Sequence, residues 1–313
     1  MALIDVIGLG VSPLDIITLI DHYPKEREVQ QALDMVIQGG GPVATALVTL
    51  ARLGAKTAMV DSLGDDWRGN LILDEFIKEG VNTKYIVKCH NCTSSTANVL
   101  VTKKDGNRAA IFLPGNTPEL SPSNLDASAI KSAKYLHVNG RHWDACLKAV
   151  KLAKNAGVQI SFDGGANRYR PELRELLPLT DACIVAQDFA EKYTSEGDCL
   201  KAAKILSSSG PSLVVITQGK KGSWIFQRNG KSFHQPAFLS PDTIDTTGCG
   251  DSYHGAFLFG LLKGLELEDT AAFASAVASI NSRFLGGRTG LPSLQHVQSF
   301  LSKRNVVINI STN

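Results

Sequence analysis

The chain lacks any apolar run near the roughly 18 residues that a membrane-spanning helix needs. Its longest candidate, Gly255 to Leu262, is closed by Lys263. Its opening residues, MALIDVIGLG, carry no basic segment ahead of the apolar ones and meet Asp5 at once. That predicts a first β-strand rather than a secretory leader, and with it a cytoplasmic protein. A dominant charge is missing too: 32 basic against 30 acidic residues leave a net +2, which argues against nucleic acid or an anionic membrane as partner. Any affinity for anions must then be local. Cysteine is sparse and irregularly placed (Cys89, Cys92, Cys146, Cys183, Cys199, Cys249), unlike a small disulfide-built scaffold, so reduced thiols are expected. Cys89-x-x-Cys92 has no second ligand pair and is read as free thiols rather than zinc ligands. No repeat, charge block or low-complexity tract is present.

What is present is an alternation. LIDVIGLG, TAMVDSLG, YLHVNG, VQISFD, ACIVA and LVVITQG are nearly continuous in apolar residues and read as strands buried on both faces. Between them PVATALVTLARLG, WRGNLILDEFIKEG and DACLKAVKLAKNAG carry apolar residues at helical spacing and end in a glycine. Strand and helix in alternation predict a Rossmann-like three-layer α/β/α domain with a parallel central sheet, spanning 1–313 as one unit. Residues 16–38 and 93–113 break the rhythm with polar alternation, and KDGN at Lys104–Asn107 is a hairpin turn signal. They are expected to form a small β-sheet lid over the strand ends, where open sheets place their ligands.

The densest chemistry lies in DTTGCGDSYHGAF, Asp245 to Phe257. Gly248, Cys249 and Gly250 precede an apolar helix, so their amides would face outward at its N-terminus as an anion cradle. Asp251 follows in the first turn. A carboxylate there suits removal of a proton from a hydroxyl nucleophile, against the plainer reading of an acid complementing the helix dipole.

These thirteen residues resemble the signature D-T-x-G-A-G-D-x-F-x-G-A-F of the ribokinase-like (PfkB) carbohydrate kinases, with Cys249 for Ala and Tyr253 for Phe. A second stretch, Gly39 to Gly69, is similar to that family's N-terminal signature, with Thr45 in place of its usual Asn. The resemblance implies an ATP- and Mg²⁺-dependent kinase acting on a small sugar. Asp251 would be the base, and Gly248, Cys249 and Gly250 would stabilise the transferring phosphoryl group. It further implies that Asp15, Gly40, Gly41 and Thr45 meet the sugar, a carboxylate being able to accept from two neighbouring hydroxyls. Thr217, Gly219 and Gly222 resemble its nucleotide segment. The stretch AVASINSRFLGGRTGLP, read as a helix, would line the adenine pocket through Ala278 and Asn281. Asp245 and Thr247 stand where relatives often hold K⁺, although Asp245 could equally brace its loop. Ala186 replaces the Asn of the family's Mg²⁺-arranging motif, leaving Asp188 and Glu191 as candidates acting through water. Arg141, in VNGRHWD, would recognise an anionic substituent on the sugar, or else be an exposed ion-pairing Arg. In motif detail the chain looks most like the sulfofructose-kinase-type branch. For Gly64-Asp65-Asp66 a helix start is the expectation. The alternatives are a nucleoside kinase and a non-catalytic sugar sensor. A homodimer through the lid would follow the family's habit.

Overall fold

The computed structural model describes residues 4–310, so the first three and last three positions of the expected 1–313 unit lie outside the described residues. Strand β1 (Val6–Leu9) leads to β2 (Leu14–Ile20), β3 (Asp34–Gly39), helix α1 (Pro42–Arg52), β4 (Thr57–Gly64), α2 (Trp67–Lys78) and β5 (Asn82–Cys89). Next come β6 (Thr96–Thr102), β7 (Arg108–Leu113), α3 (Ala127–Ser132), β8 (Tyr135–Val138), α4 (Trp143–Asn155) and β9 (Gln159–Gly164). Helix α5 (Leu173–Leu176), β10 (Ala182–Ala186), α6 (Gln187–Thr194), α7 (Cys199–Ser209), β11 (Leu213–Thr217), β12 (Ser223–Gln227) and β13 (Ser232–Gln235) follow. The chain closes with α8 (Cys249–Leu262), α9 (Leu267–Asn281) and α10 (Leu294–Ser302).

One sheet has the order β13-β12-β11-β10-β9-β8-β1-β4-β5. From β11 to β5 every neighbour is parallel, as the buried apolar runs require. Strands β12 and β13 add an antiparallel edge to the parallel sheet that was expected, β12 pairing antiparallel with β11 and β13 with β12. Their hairpin turns at Gly230, whose φ of 89° follows Asn229 in an Asn-Gly turn. Successive strand residues feed two cores. Val6, Ile184 and Val215 pack with α1, α8 and α9, while Ile7, Val185 and Val214 pack with α4 and α7. Helices α8 and α9 are buried along most of their length, and Gly255 lets α8 cross α1 closely, since a Cβ there would lie 2.5 Å from the Ala46 carbonyl oxygen.

The polar-alternating segments do meet. Strands β3, β2, β6 and β7 form a separate sheet in that order, with β2 parallel to β6 from Leu14↔Thr96 onward. KDGN makes the β6–β7 turn, Gly106 taking φ 64°. Because β2 starts at Leu14, Asp15 stands on the small sheet itself. Asp66 caps α2, accepting from the Gly69 amide at 3.0 Å, which is the structural role expected of it. Two further expectations are corrected. The helix expected to run through GGRTGLP ends at Asn281, because Gly286 needs a left-handed φ of 99° and begins a loop. Cys89 and Cys92 are paired as a disulfide rather than free, their Cα atoms 5.5 Å apart where β5 turns toward β6; the other cysteines are free.

Candidate active site

Helix α8 begins without a side-chain cap. Its N-cap is Gly248, with φ 69°, and a Cβ there would lie 2.6 Å from Gly287 Cα, so glycine is required on both counts. The Cys249 amide, expected in the anion cradle, instead donates to the Thr246 carbonyl at 3.3 Å as the turn into the helix closes. The amides of Gly250 and Asp251 find no acceptor among the described residues, and a Cβ at Gly250 would meet nothing within 4 Å. The first turn thus offers unpaired donors to open space, which fits an anionic phosphoryl group. Burial pushes the Cys249 thiol up to about 12, so it stays protonated and faces the Ala278 carbonyl at 3.5 Å. Asp251 lies in the same turn, its Oδ1 3.6 Å from Arg168 Nη1. The same Arg168 nitrogen lies 3.8 Å from Asp163 Oδ1, so one guanidinium stands between two carboxylates.

A single loop after α9 ties this helix start to the small sheet. Asn281 Nδ2 donates to the Gly287 carbonyl at 2.9 Å, holding Gly287 against Gly248. Asp245 is fully buried; its Oδ1 accepts from the amide and hydroxyl of Thr247 at 2.8 and 2.7 Å, and its Oδ2 from the Gly286 amide at 2.9 Å. Those are the bonds of a loop brace, and a monovalent cation would have to share the same oxygens. Thr289 Oγ1 lies 3.2 Å from the Gln38 side chain of β3. From the other side Arg108 of β7 donates to Thr246 Oγ1 at 3.1 Å. The small sheet therefore grips both flanks of the cradle.

Arg288, in the same loop, is only 1% exposed. Its Nε donates to Thr45 Oγ1 at 3.1 Å and its Nη2 to the Gly40 carbonyl at 2.7 Å, while Nη1 lies 3.2 Å from Glu75 Oε2. Glu75 also accepts from the Gly39 amide. Gly40 packs on Asp15 so closely that a Cβ would lie 2.1 Å from Asp15 Oδ2. Gly41 adopts φ 90° as the N-cap of α1. Burial raises the Asp15 carboxyl from 3.8 to about 7; Arg288 opposes that rise, and the charges of Asp251 and Glu75 add to it. Asp15 and Asp251 thus feel each other's charge, Gly40 packs directly on Asp15, and Thr45 is buried and joined to them through Arg288. Sequence reasoning missed Arg288 and Arg168, and the only available signals were an Arg set among glycines in GGRTG and the basic run NRYR.

A second group gathers at the ends of β10 and β11. Thr217, paired with Ala186 across the sheet, donates to the Val185 carbonyl at 3.4 Å. Gly219 has φ 57° with open space at its Cβ position; Gly222 has φ 103° and presses on the Gln235 carbonyl. Asp188 Oδ2 accepts from the Asn167 amide at 2.7 Å and Glu191 Oε1 from Gln187 at 2.7 Å. The remaining oxygen of each carboxylate accepts no hydrogen bond among the described residues and fits a water-mediated hold on a divalent ion. Arg141, after β8, is exposed and makes no ion pair within 4 Å among the described residues, contrary to its plainer reading. Partial burial and the charge of Arg170, with a smaller push from Arg168, disfavour its protonated form, while the Glu119 carboxylate favours it, so its surroundings are of mixed charge.

Comparison with known proteins identifies the family. The family model of pfkB family carbohydrate kinases matches residues 1–294. A 5-dehydro-2-deoxygluconokinase of Shouchella clausii is 28% identical, with 96% of this chain and 97% of that protein covered. A nucleoside kinase of Methanothermobacter thermautotrophicus is 27% identical over 92% of each. The solved structure of Arabidopsis thaliana ribokinase complexed with ribose and ATP superposes with a TM-score of 0.80 at 25% identity, covering 96% of this chain and 99% of that one. The chain belongs to the PfkB family of carbohydrate kinases, and its fold is that of ribokinase. It is a kinase of the sugar and nucleoside type; none of its described helices is long and apolar enough to cross a membrane.

Proposed function

We propose that this kinase transfers the γ-phosphoryl group of ATP to a primary hydroxyl of a monosaccharide or sugar derivative, with Asp251 as general base. The observation that carries the reading is the pairing of that carboxylate with unpaired amides in the same helical turn. Asp251 would take the hydroxyl proton as the oxygen–phosphorus bond forms and the bond to ADP breaks. The amides of the first turn would receive the negative oxygens of the transferring group. Arg168 would hold the Asp251 carboxylate in place. Asp15 would accept from two sugar hydroxyls, and the bare Cα of Gly40 would keep that carboxylate accessible. Mg²⁺, bound with the triphosphate, would neutralise charge, and Asp188 and Glu191 would hold its waters. Thr217 and Gly219 would line the nucleotide side, with Gly222 shaping the turn beneath them. Ala278 and Asn281 would act on that side through Cys249 and Gly287 rather than as free pocket walls.

Asp15 gives the reaction a pH signature. Its folded value of about 7 lies above the ordinary 3.8, so between those values the folded protein holds a proton that the unfolded chain has released. The group therefore costs stability as pH rises from the lower value through the higher, while binding gains the bidentate acceptor over the same range. The sugar KM is expected to climb as pH falls below about 7, by up to tenfold per pH unit, and Asp15→Asn should flatten the profile. A KM independent of pH between 5.5 and 8 in the unmodified enzyme would contradict the role given to Asp15.

The substrate is proposed to be a fructose- or ribose-like sugar bearing an anionic group, such as sulfofructose, met by Arg141. An ATP-to-ADP assay over neutral and anionic sugars, with adenosine included, tests this. The expected result is turnover of an anionic hexulose that falls at least tenfold in Arg141→Ala while neutral sugars are unaffected. Equal response to ribose and fructose would reject the anionic class. Best turnover of adenosine would favour the nucleoside reading, against which stands the scarcity of aromatics to clamp a base, only Phe112 on β7 and Tyr23 in the β2–β3 connection being on offer. No turnover with any acceptor would favour the sensor.

The small sheet is also proposed to mediate a homodimer. Met35, Ile37, Ile111 and Leu113, on its two edge strands, are each at least half exposed. Sedimentation should show a dimer that Ile111→Lys dissociates; a monomer at all concentrations would remove this proposal.

A further inference from the structure

Three titratable side chains to which the phosphoryl-transfer scheme gives no contact with substrate converge beneath Asp251, one of them, Asp163, also facing Arg168. His137 on β8 and Asp163 on β9 project from one face of the main sheet, because His137 pairs in register with Ser161 and Asp163 lies two residues further along. His254, three residues after Asp251 and so one turn deeper in α8, descends onto them. All three are buried. His254 Nδ1 lies 3.5 Å from Asp163 Oδ2, and one ligand atom from each of the three side chains falls within 4.8 Å of the others.

Each residue presents an atom with nothing to bind. Asp163 Oδ2, His254 Nδ1 and His137 Nε2 are buried without a hydrogen-bond partner, and three such orphans at one point are costly unless something satisfies them together. The remaining atoms are occupied in a way that aims these three inward. His137 Nδ1 is 3.2 Å from Ser161 Oγ, which fixes the ring and leaves Nε2 facing the cluster. Asp163 Oδ1 accepts from the Gly165 amide at 2.9 Å and faces Arg168, leaving Oδ2 free. An imidazole oriented through its second nitrogen, next to a carboxylate whose other oxygen is engaged, is the outer support that metal ligands usually have.

We infer that His137, Asp163 and His254 form a site for a divalent transition-metal ion of the zinc type, one layer below the proposed base and distinct from the Mg²⁺ that accompanies ATP. Two imidazoles and one carboxylate suit Zn²⁺ or Co²⁺, with a solvent ligand completing the shell, and suit Mg²⁺ poorly, since it prefers oxygen alone. Ligand bonds of roughly 2.0–2.1 Å place neighbouring ligand atoms about 3.3 Å apart around a tetrahedral ion, close to the His254–Asp163 spacing already present.

The full-length protein, stripped by chelation, incubated with excess Zn²⁺ and desalted, should retain about one zinc per chain by elemental mass spectrometry. Co²⁺ in its place should give visible ligand-field bands without thiolate charge transfer in the near ultraviolet. Asp163→Asn and His254→Gln should each weaken retention by more than the roughly 10–100-fold that an outer-support residue is worth. Thermal unfolding would confirm that each variant is folded. Zinc lost on desalting from the unmodified protein overturns the inference whatever the variants do. Thiolate bands would assign the ion to Cys89 and Cys92 in reduced form, and undiminished retention in both folded variants would place it elsewhere. Either result rejects this site.

Discussion

Asp251→Asn is expected to lower kcat by roughly 10²–10⁴-fold while leaving the dissociation constants for ATP and sugar within a few-fold of their original values. The substitution keeps the size and the helical position, and removes only the capacity to accept the hydroxyl proton. Arg168 makes the outcome informative. In the unmodified protein its guanidinium stands between Asp251 and Asp163, so losing the Asp251 charge leaves it paired with Asp163 alone. The cradle amides belong to the backbone and stay in place. Isothermal titration for binding and single-turnover mixing for transfer separate the two effects. A variant that turns over near the original rate would show that the proton leaves by another route.

Arg288→Met carries the next largest expected effect, on stability first and on sugar binding through it. The side chain is buried, with Thr45, the Gly40 carbonyl and Glu75 all around its guanidinium. Methionine fills comparable volume but leaves Glu75 and the Gly40 carbonyl without their partner. Unpairing a buried charge costs about 3–5 kcal/mol, and Glu75, one-fifth exposed, regains some water, which puts the loss near the lower figure. The denaturant midpoint should fall accordingly, with the sugar KM rising because Gly40 and Asp15 lose their backing. Arg288→Lys keeps the charge without the fork and should fall between the two. An unchanged midpoint in Arg288→Met would mean that the loop is held by Asn281 and Asp245 alone.

Much of this was legible in the chain. The strands announced themselves by apolar continuity and the small sheet by alternation, both local properties of a few consecutive residues. The cradle was legible for the same reason, since glycines, Asp251 and the helix that orients them are contiguous. What stayed hidden depends on contacts between distant positions. Arg288 reaches Thr45 and Gly40 across 243 and 248 residues, and no local pattern distinguishes it from a surface Arg. His137 and His254 look like ordinary core residues until strand register and helix phase bring them to one point. The β12–β13 hairpin is hard to read although Asn229-Gly230 marks its turn, because its two strands are only five and four residues long and carry little apolar continuity. The helix drawn through Gly286-Gly287 ignored the stop that paired glycines usually give.

The most direct test is a crystal structure with a sugar acceptor and a non-hydrolysable ATP analogue bound together. An Asp251 carboxylate oxygen should lie about 2.6–3.2 Å from the acceptor hydroxyl, with the γ-phosphoryl oxygens against the amides of Gly250 and Asp251. A carboxylate turned away, or a terminal phosphate lodged far from that helical turn, would contradict the account.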